Sequence, residues 1–459
     1  MNLHIQGYMK KKLLIPGIIA LLIVLMIIAR SPLARHYHNK GLEYKKEELY
    51  EEAGKYFSKA LFLKRSFIEA RFEKALAETF LGNDGKAMLL FSEIIYRDDQ
   101  FAAAWFHRGI TRSMLGEYAE SADDFSRSAE LGYEPAASYT GRGKAWIELN
   151  RHARALEDFS RAIEADPGHG PAWFHRGVLK ANMGDFSGAV EDYNMAIKYD
   201  KENPEAYRLR GATMANLDNF IAAIEDYDRL IGMDADYTGL HKQRGIFKRQ
   251  ISDYDGAIKD LSQAVELDPD DAEIYFHRGS SFANIGELEM AMEDFDRSIG
   301  LDPANARAFL NRGLAWLRRG EAGNAMEDFN VSIGIDDTNP QSFYLLGTAK
   351  AMRGDYRGSL PEFTKAINLE GGHAMAYFNR GISKGILGMH DEALEDYNRS
   401  IELEPDNPGA YLQRAVSRIN LNDMSGGCED LRKALEMGLQ EAEPMLKMYC
   451  REGENVIVR

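Results

Sequence analysis

The chain has 459 residues, a formal net charge of −16 and a pI near 5.3. So acidic a chain lacks the basic excess with which proteins bind the phosphate backbone, which excludes nucleic acid as a general ligand. The length would allow two or three globular domains, but an internal repeat favours an architecture that grows lengthwise instead.

The N-terminus carries an apolar run, residues 13–29, behind a basic tail of residues 1–12 that ends in three lysines. The run lies at the short end of the range for a membrane-spanning helix and slightly above a signal-peptide core. Because Pro32 disrupts the nearest small-x-small cleavage sequence, we predict an uncleaved single-pass membrane anchor, with secretion after signal cleavage as the alternative. The lysine-rich start favours a cytoplasmic N-terminus and repeats outside the cytoplasm.

From residue 34 onwards a period of 34 residues organises the sequence. Glycines recur at this spacing without an insertion or deletion: Gly109, Gly143, Gly177, Gly211, Gly245, Gly279, Gly313, Gly347 and Gly381. Such a period indicates a solenoid, in which one supersecondary unit is stacked repeatedly. With each unit numbered from 1 to 34 and the first beginning at Ala34, these glycines stand at repeat position 8, and twelve units fill residues 34–441.

The recurring residue types follow helical spacing. Aromatic residues occupy position 4, small residues positions 8 and 20, and large residues position 24, as in Trp173, Gly177, Ala189 and Tyr193 of the fifth unit. A turn residue, often glycine, at position 15 separates two helices, and a proline at position 32 of several units ends the second. One hairpin cannot bury its apolar face alone, so it must stack on its neighbours.

These positions resemble those of the tetratricopeptide repeat family over about nine-tenths of the chain. The resemblance implies an all-α fold, an α-solenoid of antiparallel helix pairs that form a right-handed superhelix. It also implies that the first helix of each pair lines a concave groove. After the repeats we predict a capping helix at residues 442–450 and a C-terminal tail at residues 451–459.

Positions 7 and 23 depart from the usual family pattern. Arginine at position 7 accompanies aspartate at position 23 in nine units, and where position 7 becomes Leu346, position 23 becomes Glu362. Since the two helices are antiparallel, the covariation predicts a partly buried Arg–Asp ion pair at their seam, within a repeat or between neighbours, that fixes register. A ladder of ligand-binding arginines is the functional alternative.

The sequence shows no motif typical of a catalytic or metal centre. His107, His175 and His277 share position 6 but lie in non-adjacent repeats, so we do not expect them to meet at a metal. Cys428 and Cys450 lack metal-ligand spacing and are either a disulfide or two unrelated thiols. We therefore predict no enzymatic activity, no cofactor, no metal and no small-molecule substrate.

The predicted groove carries an aromatic row that a basic stretch interrupts. By resemblance, positions 2, 5, 9, 12 and 13 face the groove, and position 5 holds the row: Phe72, Phe106, Phe174, Phe276, Tyr344 and Phe378. In units 6 and 7 the row changes to Arg208 and Lys242, and Arg249 follows at position 12. Nine residues at these five positions are basic and four are acidic. This excess favours a partner segment with acidic and apolar residues; aromatic packing and scattered solvated charge are the structural alternatives.

We therefore predict a membrane-tethered scaffold that binds a peptide or protein partner in the groove. Its site residues are the basic stretch and the aromatic row: Arg208, Lys242, Arg249, Phe106, Phe174, Phe276, Tyr344 and Phe378. The alternatives are a purely architectural component of an envelope assembly and a targeting arm for a separate enzyme subunit. Some relatives bind a chaperone C-terminus through a lysine–asparagine pair at positions 5 and 9; Lys242 is followed by Ile246, which disfavours that function.

Overall fold

The computed structural model of the chain describes residues 30–233 and 239–450, and all secondary structure in these two ranges is helical. The helices are α1 (30–46), α2 (Tyr50–Leu63), α3 (Ile68–Phe80), α4 (Asp84–Arg97), α5 (Ala102–Met114), α6 (Tyr118–Glu130), α7 (Pro135–Glu148), α8 (His152–Ala165), α9 (Gly170–Asn182), α10 (Phe186–Tyr199), α11 (Pro204–Asn216), α12 (Phe220–Gly232), α13 (Leu240–Gln250), α14 (Tyr254–Leu267), α15 (Ala272–Ile285), α16 (Leu288–Leu301), α17 (Ala306–Arg318), α18 (Ala322–Ile335), α19 (Pro340–Met352), α20 (Tyr356–Leu369), α21 (Ala374–Ile386), α22 (His390–Leu403), α23 (Pro408–Asn420), α24 (Met424–Glu436) and α25 (Ala442–Tyr449). They belong to two compact units, with α1–α12 in the first and α13–α25 in the second.

The turn inside each helix pair depends on a left-handed residue at repeat position 15. Glycine adopts this conformation without a steric penalty, as Gly184 does between α9 and α10 with φ of 84°. Where glycine is missing, a polar residue takes its place, such as Asn150 between α7 and α8 with φ of 56°. The turn reverses the chain and makes the two helices antiparallel.

The two helices of a pair touch where a small residue faces a large one. A Cβ atom added to Gly143 on α7 would lie 2.6 Å from Cε1 of Phe159 on α8, closer than the ring allows without moving. Phe159 and the small Ala155 beside it are completely buried. The absent side chain at position 8 therefore lets the aromatic residue at position 24 fill the seam at interior density.

Within each unit the pairs stack in chain order. Consecutive helices pack together, and a first helix also contacts the first helix of the next pair, as α7 does with α9 and α15 with α17. The apolar clusters are small and successive: Phe159 of α8 packs near Leu179 of α9, and Phe329 of α18 near Leu345 of α19. Each unit is therefore held by nearest-neighbour contacts, and the predicted all-α solenoid is confirmed.

The predicted membrane localisation has to be corrected. Within residues 30–233 and 239–450, no helix is both long and apolar enough to cross a bilayer. A span needs about 20 mostly apolar residues, whereas α2–α25 have 8 to 14 residues each and carry polar faces towards solvent. The run proposed as the anchor, residues 13–29, lies outside the described residues. The prediction of a membrane-anchored protein is therefore wrong on this finding.

The two cysteines form a disulfide. Cys428 of α24 is bonded to Cys450, the residue that follows α25, with Cα atoms 5.7 Å apart. Of the two alternatives for these thiols, the structure contains the disulfide. It fastens the short last helix, whose Ala442 packs against Leu431 and Ala434 of α24.

Candidate functional site

The arginine at position 7 forms a clasp that joins two repeats. Arg142 of α7 donates from Nε and Nη2 to the two carboxylate oxygens of Asp158 on α8, at 2.7 and 2.6 Å. Its third nitrogen, Nη1, donates to Oγ of Ser126 on α6, at 2.8 Å, and the guanidinium lies over the ring of Tyr139. Hydrogen bonding to Asp158 raises the pKa of Arg142. The pair lies within a repeat, and its arginine also reaches the preceding one.

The same clasp recurs in nine repeats, which belong to both compact units. Its arginine–aspartate pairs are Arg108–Asp124, Arg142–Asp158, Arg176–Asp192, Arg210–Asp226, Arg244–Asp260, Arg278–Asp294, Arg312–Asp328, Arg380–Asp396 and Arg414–Asp430. In the tenth repeat, where Leu346 replaces the arginine, Lys350 pairs with Glu362 instead, at 2.6 Å. The predicted seam pair is thus present, and these arginines are occupied by structural partners.

The three histidines at position 6 are packing residues. Burial lowers the pKa of His107, His175 and His277 to about 4 each, so all three are neutral near pH 7. The ring of His175 lies 6.0 Å from that of Phe159. In the described part of the chain no group of three or more His, Cys, Asp or Glu residues could hold a metal ion.

The aromatic row at position 5 packs against the aromatic residues at position 24. The ring centroids are 5.7 Å apart for Phe106–Phe125, 6.2 Å for Phe174–Tyr193, 6.1 Å for Tyr344–Phe363 and 6.3 Å for Phe378–Tyr397. Members of the row other than Phe276 remain half-buried.

Phe276 differs from the rest of the row. It is only 3% exposed, and the guanidinium of Arg307 lies 4.7 Å from its ring centroid. Its ring therefore cannot offer a partner the open face that the half-buried members offer.

The three basic residues of the interrupted row belong to different compact units. Arg208 belongs to the first unit, on α11, while Lys242 and Arg249 lie seven residues apart on α13 of the second. Arg208 is paired with Glu205 one turn earlier, at 2.8 Å. Lys242 is paired with Asp271, at 2.7 Å, and with Glu273, at 2.5 Å. Both cations therefore have carboxylate partners inside the protein.

Arg249 has a different environment. It lines a cavity of about 170 Å³ together with Ser280, Asn284, Asn311 and Arg318. Its Nε is buried and has no hydrogen-bond partner. Burial, and secondarily the charge of Arg307, lowers the pKa of Arg249.

Sequence reasoning did not identify this cavity, although one signal pointed to it. Position 12 is alanine in the units on either side of Arg249, as Ala215 and Ala283. An arginine is therefore not needed there to build the repeat. The cavity and the half-buried aromatic rings are suited to binding a partner.

Sequence models of the repeat family match both units. Models described as tetratricopeptide repeats match residues 34–67, 106–170, 272–305, 291–340 and 374–407, and one described as a TPR repeat matches residues 177–218 and 247–286. Together they span more than half of the chain. The fold of this family is typically a non-enzymatic scaffold for protein interactions.

Several solved structures are similar in fold. YrrB, described as a TPR protein with an unusual peptide-binding site, is 24% identical over 41% of this chain and 97% of its own, with a TM-score of 0.37. The APC/C hetero-tetramer Cut9–Hcn1 is 15% identical over 92% of this chain and 99% of its own, with a TM-score of 0.44. Yeast Tom70 is 15% identical over 90% of this chain and 94% of its own, with a TM-score of 0.39. No curated protein sequence matches the chain. On the repeat models and the stacked helix pairs, the chain belongs to the tetratricopeptide repeat family.

Proposed function

We propose that the protein is a non-enzymatic scaffold that binds a peptide or protein partner along the first helices of its repeats. The observation that carries the proposal is the row of half-buried aromatic side chains on those helices, in both units. Each ring rests on a position-24 aromatic residue and keeps part of its surface in solvent. Amphipathic aromatic surfaces of this kind anchor apolar side chains of a partner.

Basic residues beside the row favour a partner segment that also carries carboxylates. Arg208 is already paired with Glu205 one turn away, and Lys242 with Asp271 at the end of its own repeat and Glu273 of the next. A partner carboxylate would therefore exchange with Glu205, Asp271 or Glu273. Such exchange contributes little net affinity but favours an acidic segment through its approach rate and register.

A photo-crosslinking experiment tests which surface binds the partner. Benzoylphenylalanine is placed at Phe174 or Phe378, one site in each unit, where an aromatic side chain already fits. The matched controls carry it at Glu191 or Glu395, which are exposed on the second helices of the same repeats. After irradiation in a lysate of the source organism, the crosslinked proteins are identified by mass spectrometry.

We expect the same partner to be crosslinked from Phe174 and Phe378 and not from the controls. The triple substitution of Arg208, Lys242 and Arg249 by glutamate should then abolish capture of that partner, because the three added carboxylates repel its acidic segment. Crosslinks from the control positions alone would contradict the proposal and favour a purely architectural role.

A further inference from the structure

Repeat position 12 is charged only at Lys45 and Arg249, and Lys45 is paired with Glu73. Arg249 stands near the end of α13, and the equivalent residues of the repeats on either side are Ala215 and Ala283. Its side chain lines the cavity of about 170 Å³, which helices α15 and α17 of the same unit complete with polar side chains. A long cation in place of an alanine has to be explained by something other than helix packing.

Arg249 has no carboxylate partner among the residues that the structure describes. Among residues 30–233 and 239–450, no carboxylate lies within ion-pair distance of Arg249, and its Nε is buried without an acceptor. The neighbouring charge of Arg307 is of the same sign and, after burial itself, is the next cause that lowers the pKa of Arg249. The clasp arginines differ, since each has a bidentate aspartate. Arg249 is half-buried, and a buried guanidinium nitrogen without an acceptor is costly, so an anion that reaches it recovers part of that cost.

Other donors converge on the same cavity. Arg318 of α17 lines it and uses Nη1 for the carbonyl oxygen of Ala283, at 2.7 Å. Nδ2 of Asn311 donates to Oγ of Ser280, at 3.2 Å, and Nδ2 of Asn284 to the carbonyl oxygen of Ser280, at 2.7 Å. Each amide nitrogen has a second hydrogen to donate. The cavity therefore combines two guanidinium groups with amide donors.

We propose that this cavity is a carboxylate-binding site in which Arg249 takes up a carboxylate of the partner peptide. The assignment rests on the proposed peptide-binding function and names the chemistry of one subsite. One monoanion balances the charge of Arg249, and the small cavity suits a planar group with two oxygens. The two cations stand at positions 12 and 13, whereas the lysine of chaperone-binding relatives stands at position 5.

The test measures binding of the full chain to hexapeptide pools with randomised apolar positions. One pair of pools has a C-terminal acid or a C-terminal amide, and a second pair has internal glutamate or internal glutamine. The first pair tests for the C-terminal carboxylate of a peptide, and the second tests for the side-chain carboxylate of glutamate. A further pool carries phosphoserine in place of glutamate.

The variants take residues that the chain itself uses at the same repeat positions. R249A introduces the alanine of the flanking units, and R318N introduces the asparagine of Asn216 and Asn284. R357A is the control: it removes one exposed arginine at position 18, where Ala119 and Ala153 show that alanine is accepted.

We expect the wild-type protein and R357A to bind one acid pool at least about 30-fold more tightly than its neutral counterpart. This ratio is the lower end of the affinity loss seen when one partner of a buried charge pair is truncated. R249A should lose this preference and R318N should weaken it. Equal binding of acid and neutral pools by the wild type, or an unchanged preference in R249A, would overturn the site while leaving the peptide-binding function intact. Tighter binding of the phosphoserine pool would overturn the carboxylate assignment. Failure to bind any pool would count against both proposals.

Discussion

Replacing Asp158 by leucine should destabilise the first compact unit, which contains α1–α12, by about 3 kcal/mol. This is the usual cost of leaving one member of a buried ion pair without its partner. Repeat 4 is the cleanest place for this test. In many other repeats a second cation at position 11 also reaches the aspartate, such as Arg112 or Lys180. Repeat 4 has a tryptophan at that position, so only Arg142 loses its partner.

The magnitude follows from the geometry of this clasp. The side chains of Arg142 and Asp158 are only 15% and 4% exposed, so solvent screens their interaction weakly. Two charge-assisted hydrogen bonds are lost, and the guanidinium keeps only Ser126 and the ring of Tyr139. At about 1.5 kcal/mol or more for each charge-assisted bond, the loss comes to about 3 kcal/mol.

The double variant R142L/D158L separates the ion pair from its desolvation cost. Leucine occurs naturally at both positions, as Leu346 and Leu90. Because replacing both partners of a buried pair by apolar residues is nearly neutral, the double variant should lie within about 1 kcal/mol of the wild type. The free energy of unfolding is measured in urea by circular dichroism, with amide exchange of α7 and α8 as the local readout. A double variant as unstable as D158L would refute the reasoning.

Two further predictions concern pH and the C-terminal disulfide. Because burial lowers the pKa of His175 to about 4, the unfolded chain takes up its proton first as the pH falls below 6.5, and stability is lost down to about pH 4. The variant H175N introduces the residue found at Asn311 and Asn379. Between pH 7 and pH 5 its free energy of unfolding, measured in urea, should fall by about 2 kcal/mol less than that of the wild type. An identical pH dependence would contradict the burial argument. The disulfide joins cysteines 22 residues apart, and closing a loop of this length stabilises a fold by about 3 kcal/mol. The variant C428A/C450A should therefore exchange its amide hydrogens faster in α25 and at an unchanged rate in α21–α23. Unchanged exchange in α25 would mean that its apolar contacts suffice.

Much of the fold is predictable from the sequence because the repeat makes its contacts local. Gly143 and Phe159 touch within one hairpin, and Arg142 reaches Asp158 and Tyr139 of its own repeat and Ser126 of the preceding one. Contacts at a fixed separation leave a pattern that recurs with the period. The period therefore predicts the helix pairs, the turn at position 15 and the seam pair.

The predicted membrane anchor shows where sequence patterns alone mislead. Hydropathy of residues 13–29 suggested a span, but no helix among the residues that the structure describes is long and apolar enough to cross a bilayer. An apolar run of marginal length has several structural outcomes, and composition does not choose between them.

The state of each charged or aromatic side chain in the candidate site was decided only by the tertiary structure. Lys242 and Arg249 look alike in sequence, yet Lys242 meets Asp271, the N-cap residue of the next first helix, while Arg249 lines a cavity without a carboxylate. Phe276 and Phe174 share a repeat position, yet only Phe276 is fully buried. The sequence by itself determined the architecture, since the repeating contacts are short-range. The neutralisation of a charge and the burial of a ring depend on contacts between side chains of several repeats. A periodic sequence pattern does not predict these contacts.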